Sequence, residues 1–145
     1  MTTIVADLRV GLIGADTFVS TSYRASKLLR TPKGIFGFAG DDRLICKAED
    51  WLVRRKKKPD QIADGGEFSM LQMHKGCIYL WADAMRGEIV LSPFDGTPAP
   101  WHAIGSGAGY ALGCLAQGGT LQEALRTAEL FDPNTKGPFQ TMGVK

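Results

Sequence analysis

Two short apolar runs, Thr3 to Arg9 and Leu12 to Ala15, meet at Val10-Gly11, and this pattern predicts a β-hairpin at the start of the chain. A third run, Ile35 to Ala39, is entered through the turn residues Pro32-Lys33-Gly34 and reads as another strand. From Asp41 the period changes. Leu44, Ile45, Ala48, Trp51 and Leu52 recur at helical spacing, with Asp41 and Asp42 at the start and Arg54 to Lys58 at the end before Pro59. Phe68 to Met73, Cys77 to Ala82 and Glu88 to Leu91 are strand-like runs separated by turn residues and predict a meander. Trp101 to Ile104 is a short strand leading into a turn dense in glycine at Gly105, Gly107 and Gly109. Tyr110, Ala111, Leu112, Cys114 and Leu115 then predict a buried helix ending at Gly118-Gly119. Thr120 and Glu123 have capping-box spacing, so a second helix starts at once and runs to about Phe131. After Asp132-Pro133, Gly137 to Val144 predicts a closing strand or hairpin. The order strands, helix, strands, two helices, strands points to an α+β fold rather than a βαβ parallel sheet.

Composition narrows the picture. A chain of 145 residues supports one domain, and 44% apolar with 22% charged residues excludes disorder and a coiled coil. Seventeen Lys and Arg against fifteen Asp and Glu leave a net charge of +2, too little to draw nucleic acid or an anionic membrane. The apolar stretches are far shorter than the roughly 20 residues of a bilayer span, and no signal-peptide core opens the chain. A cytoplasmic location is expected. The run Arg54, Arg55, Lys56, Lys57, Lys58 reads as a solvated helix end, where each cation complements the dipole by roughly 0.3–1 kcal/mol. Cys46, Cys77 and Cys114 contain no C-x-x-C pair, and only His74 and His102 could join them, so neither a disulfide framework nor a zinc site is expected. The cysteines, each among apolar neighbours, are expected in the core. No cofactor is implied.

Several positions could carry chemistry. If Met1 is removed, Thr2 presents a hydroxyl and a free α-amine on one residue. With an amine pKa of about 7.7–8.0, part of the population can take the hydroxyl proton directly or through water. The same Met-Thr-Thr also reads as an ordinary first strand. Asp16 ends the second strand and Lys27 follows it. An ammonium beside the amine and hydroxyl would disfavour amine protonation and favour the alkoxide, with Asp16 holding the lysine. The pair equally reads as a surface salt bridge worth at most about 1 kcal/mol. Gly37-Phe38-Ala39-Gly40 would let a substrate backbone approach, and an exposed amide such as that of Gly40 can donate to an oxyanion. Ala103-Ile104-Gly105-Ser106-Gly107 leads into a helix, but lacks the lysine of a P-loop and the third glycine of a dinucleotide site.

Taken in order, Thr2-Thr3-Ile4-Val5, Gly14-Ala15-Asp16, Lys27, Gly37-Phe38-Ala39-Gly40, Ala103-Ile104-Gly105-Ser106-Gly107 with Tyr110-Ala111-Leu112, and Asp132 with Thr135 resemble the proteasome β-subunit family, in its HslV-like branch. The resemblance touches nearly the whole chain. It implies one N-terminal nucleophile hydrolase domain over residues 1–145, a four-layer αββα sandwich of two mainly antiparallel sheets flanked by helices. One helix between Gly40 and the next strand replaces the usual two, so one outer layer is thinner, and Lys136 stands where relatives often carry a glycine. In this reading Thr2 is the nucleophile, its amine the base, and Lys27, oriented by Asp16, tunes both. The Gly40 amide is the oxyanion donor, Ser106 sits beside the threonine, and Asp132 and Thr135 form a more remote hydrogen-bonding pair. Ser20 would pair its backbone with the substrate strand, and Phe38 would line the pocket for the side chain preceding the cut.

The resemblance implies a threonine peptidase in a homo-oligomeric ring that admits peptides or unfolded protein. Any ATPase unfoldase would be a separate chain, since no nucleotide motif is present. With only Met1 before Thr2, activation is expected to need no more than methionine removal. Two alternatives share the fold: a hydrolase of small amides, and a non-catalytic structural subunit that keeps Met1.

Overall fold

The computed structural model describes residues 2–17, 26–54, 57–59, 67–82 and 85–143. The N-terminal hairpin forms from β1 (Thr3–Asp7) and β2 (Leu12–Ala15), paired with Ile4 opposite Ala15 and Asp7 opposite Leu12. β3 (Leu28–Thr31) and β4 (Gly34–Gly40) make a second hairpin, and α1 (Asp42–Arg54) follows. β5 (Phe68–His74), β6 (Cys77–Trp81) and β7 (Glu88–Ile89) form the meander. β8 (Trp101–Gly105), α2 (Ala108–Ala116), α3 (Leu121–Phe131) and β9 (Gln140–Gly143) complete the order. The strands make two sheets, β8-β1-β2-β9 and β3-β4-β5-β6-β7. Every neighbouring pair in them is antiparallel.

Three apolar clusters define four layers. Ile4, Ala6, Ile13 and Ala15 of the first sheet meet Ile35, Ala39, Leu71 and Met73 of the second. The other face of β4 turns Phe36 and Phe38 towards Leu44, Ile45 and Ala48 of α1. The other face of the first sheet turns Val5 and Ala103 towards Ala111, Leu115, Leu121 and Leu125 of α2 and α3. Strands β1 and β4 are therefore covered on both faces, which is why they read as continuous apolar runs instead of alternating ones. The result is the αββα sandwich, and among the described residues α1 is the only helix on the second sheet.

The helix boundaries follow local chemistry. Thr120 caps α3: its hydroxyl accepts the Glu123 amide at 3.1 Å, and the Glu123 carboxylate accepts the Thr120 amide at 3.0 Å. Both orphan donors are satisfied by one pair of side chains. The structure also corrects two expectations. Leu28–Thr31 is a strand that the apolar pattern did not mark, because it lies at the edge of its sheet and buries fully only Leu28. Only one cysteine packs on the core: Cys46 is exposed and Cys77 half-buried, while half-buried Cys114 packs against the α2–α3 cluster.

The two sheets come into close contact at Gly37. A Cβ there would fall 2.4 Å from Ile4 Cγ2, 3.2 Å from Ile13 Cδ1 and 3.3 Å from Leu28 Cδ2. Gly37→Ala is expected to overpack this seam and lower stability by about 1–3 kcal/mol, read as a shift in the urea unfolding midpoint at unchanged slope.

Candidate functional site

Residue 2 stands just before β1, and the strand that follows fixes where it points. Its carbonyl accepts the Ser106 amide at 2.9 Å at the far end of β8. The neighbouring Gly105 has φ +99°, and a Cβ there would come within 1.9 Å of the Thr2 carbonyl oxygen. Glycine is thus required for this close approach. The Thr2 side chain is buried, and its hydroxyl donates to Asp16 Oδ1.

Asp16 follows directly on β2, and the β1–β2 register brings it beside Thr3, whose carbonyl accepts the Asp16 amide at 3.3 Å. The carboxylate is fully buried. Oδ1 receives Lys27 Nζ at 2.8 Å and the Thr3 amide at 3.1 Å, and Oδ2 receives the Lys136 amide at 3.2 Å. Lys27 precedes β3 and is held against β4, where its carbonyl accepts the Phe38 amide at 3.0 Å. Burial lowers the Lys27 pKa below its ordinary value, with the hydrogen bond and charge of Asp16 opposing that shift. A buried lysine that gives up its proton more readily than a surface one, in an ion pair that also receives a threonine hydroxyl, is equipped to stabilise an oxygen anion or relay a proton.

A second group lies on the helix side of the first sheet. Asp132, at the C-cap of α3, accepts Ser106 Oγ and Thr135 Oγ1 on Oδ2, each at 2.5 Å, and the Asn134 amide on Oδ1 at 3.1 Å. Burial would raise the Asp132 pKa, but these donors outweigh it and hold the carboxyl below its usual range. Ser106 Oγ also lies 3.5 Å from the Thr2 carbonyl oxygen, so this group reaches the backbone of residue 2.

The structure thus brings together Thr2, Asp16 and Lys27, and separately Ser106, Asp132 and Thr135. Gly40 closes β4 at φ +120°, where a Cβ would come within 2.2 Å of the Glu67 carbonyl oxygen. Among the described residues no hydrogen bond joins Gly40 to Thr2. Phe38 is enclosed between β4 and α1, with its ring stacked on Phe36 at 6.5 Å, and its backbone runs beside Lys27. Ser20 and Met1 lie outside the described residues. Sequence reasoning missed two participants. The Lys136 contribution is a backbone amide and has no side-chain signature. The Thr3 hydroxyl has no distinguishing signal, since threonine is an ordinary strand residue and opens β1 (Thr3–Asp7). Two cavities bounded by described residues, of about 520 Å³ beside Trp51 and about 440 Å³ beside Trp101, include none of these residues in their walls.

No protein-family profile matches the chain, and no curated protein matches it. Solved structures do. BPH of Thiobacillus denitrificans, solved alone and in complex with epoxomicin, aligns in each case with a TM-score of 0.63 at 14% identity over 99% of this chain and 97% of the other. The eukaryotic HslV of Trypanosoma brucei aligns with a TM-score of 0.61 at 20% identity over 97% of this chain and 98% of the other. This chain shares their fold, over essentially its whole length.

The lowered pKa of Asp132 makes its contribution to stability dependent on pH. Because the folded pKa lies below the unfolded one, the contribution is present above the ordinary carboxylate pKa and is lost as pH falls through the folded value. Asp132→Asn is expected to cost about 1.5–3 kcal/mol at pH 7, the range for hydrogen bonds to a charged group. The gap from the wild type should begin to close as pH falls below about 4 and should vanish only below the lowered folded pKa. Urea titrations of both proteins across this pH range check this.

Proposed function

We propose that this chain is a threonine peptidase whose nucleophile is Thr2, freed at its amino group by removal of Met1. The observation that carries the reading is the Thr2 hydroxyl donating to a fully buried carboxylate that is itself ion-paired to a buried lysine, in a fold shared with BPH and HslV. In the first step Thr2 Oγ forms a bond to the peptide carbonyl carbon while its proton passes to the α-amine. Lys27, kept in place by Asp16, faces the developing charge at that oxygen. The tetrahedral intermediate then breaks its C–N bond, the amine proton leaves with the departing amino group, and an ester to Thr2 remains. Water, deprotonated by the same amine, attacks the ester carbon and releases the acid and the free hydroxyl.

The remaining roles rest on the resemblance and on placement. The Gly40 amide is the proposed oxyanion donor, its left-handed backbone turning the end of β4. Ser106 with Asp132 and Thr135 supports residue 2 through its carbonyl. Ser20 is proposed to pair its backbone with the substrate strand, and Phe38, whose ring is buried against α1, to support the substrate pocket from beneath. The assembly proposed is a homo-oligomeric ring with its sites facing a sequestered space, acting on peptides or unfolded protein, with any ATPase unfoldase supplied by another chain.

Epoxomicin, the ligand of the BPH complex, is the probe for this reading. Chain that begins at Thr2 is expected to gain one probe mass on its N-terminal peptide and to cleave fluorogenic peptides, and chain that retains Met1 is expected to do neither. Thr2→Ala should reduce cleavage to background while the chain still folds, as read by its far-UV circular dichroism. Lys27→Ala should lower kcat by about 10²–10⁴-fold, the usual range for a lost proton-transfer partner. Full peptide cleavage by Thr2→Ala would refute the proposal.

A further inference from the structure

Thr3 has no part in the chemistry above, yet it is fully buried and touches both groups of the site. Its amide donates to Asp16 Oδ1 at 3.1 Å. Its side chain leaves β1 on the opposite face, the face of Val5 that packs on α2 and α3. There the hydroxyl accepts the Gly107 amide at 3.1 Å and lies 2.7 Å from Thr135 Oγ1.

Proton counting fixes the direction of each bond. Ionised Asp132 can only accept, and Thr135 gives its single hydroxyl proton to Asp132 Oδ2 at 2.5 Å. Thr135 Oγ1 is then left as an acceptor towards Thr3, so the Thr3 hydroxyl donates to it. One lone pair of Thr3 Oγ1 takes the Gly107 amide. The relay therefore runs one way, from Gly107 N–H through the Thr3 and Thr135 hydroxyls to the Asp132 carboxylate. Gly107 must be glycine for this to form, since a Cβ there would fall 2.2 Å from Thr3 Oγ1 and 2.9 Å from Thr135 Oγ1.

The same few residues also hold residue 2. Consecutive amides of Ser106 and Gly107, at the N-terminal end of α2, bind the Thr2 carbonyl and the Thr3 hydroxyl respectively. We infer that Thr3 is a positioning residue: it ties the Asp16–Lys27 pair to the Asp132 group through this polarised relay, and so sets the backbone from which the Thr2 hydroxyl meets Asp16. The inference rests on Thr2 being the nucleophile. Its chemical content is that the Thr3 oxygen and its proton are required, beyond the β-branched shape that suits the strand.

The test compares Thr3→Val, which keeps the branched shape without the hydroxyl, with Thr3→Ser, which keeps the hydroxyl in a smaller side chain. Thr3→Val in chain that begins at Thr2 is expected to lower kcat about tenfold with KM unchanged, while Thr3→Ser stays close to wild type, the loss corresponding to one hydrogen bond in a charge-terminated network. Amide exchange at Gly107, followed by NMR, should be at least about tenfold faster in Thr3→Val and unchanged in Thr3→Ser. Wild-type kcat in Thr3→Val, or an equal loss in both variants, overturns the positioning role. Unchanged exchange at Gly107 overturns the relay. A wild-type chain that begins at Thr2 but takes up no epoxomicin overturns the nucleophile reading, while the exchange measurement still decides the relay without reference to activity.

Discussion

The arrangement depends on one fully buried carboxylate. Removing Asp16 from water costs several kcal/mol unless its lone pairs and charge are answered inside the protein. They are answered by donors from three distant parts of the chain: the Thr2 hydroxyl and Thr3 amide at the start, the Lys27 ammonium before β3, and the Lys136 amide after α3. A chain that folds around this group must bring those segments to one point. That point is where the open end of the β1–β2 hairpin, the start of β3 and the segment after α3 meet.

The layers serve this convergence. Gly37 lets β4 come close enough to Ile4 for Lys27, fastened to the Phe38 amide, to reach across from the second sheet to Asp16 on the first. Gly105 and Gly107 do the corresponding work on the helix side, where they admit the carbonyl of residue 2 and the hydroxyl of residue 3. Residue 2 is thereby held through its backbone from one face of the first sheet and through its side chain from the other. For the proposed function this separation matters, because a residue acting as nucleophile must present its oxygen while its backbone is immobile.

Much of this architecture can be read in the sequence, and the reasons are specific. Thr120 with Glu123 marks the start of α3 because a capping box is a local arrangement of two side chains. Leu44, Ile45 and Ala48 mark α1 because its two faces meet such different surroundings. Leu28–Thr31 escapes the same reasoning, since an edge strand with one fully buried residue has little pattern to show. For the site, the order of Thr2, Asp16, Lys27, Ser106, Asp132 and Thr135 was legible through a resemblance, whereas their grouping into two hydrogen-bonded clusters is a property of the folded chain. Thr3 was hidden because threonine is an ordinary strand residue, and its hydroxyl acquires meaning only beside Gly107 and Thr135. The Lys136 amide was hidden because every residue but proline has one. Cys46 is exposed despite its apolar neighbours because neighbours in sequence do not share one face of a helix.

The central claim is that the oxygen of Thr2, aligned by the buried Asp16–Lys27 pair, becomes covalently attached to substrate. Acid-quenched mass spectrometry during turnover of a peptide reads this directly. With chain that begins at Thr2, the account predicts an acyl group on the N-terminal peptide, of the mass of the substrate fragment preceding the cut and released by hydroxylamine as an ester is. Peptide turnover that leaves Thr2 unmodified while another residue carries the acyl group would contradict it, as would the absence of any acylation or turnover in chain shown to begin at Thr2.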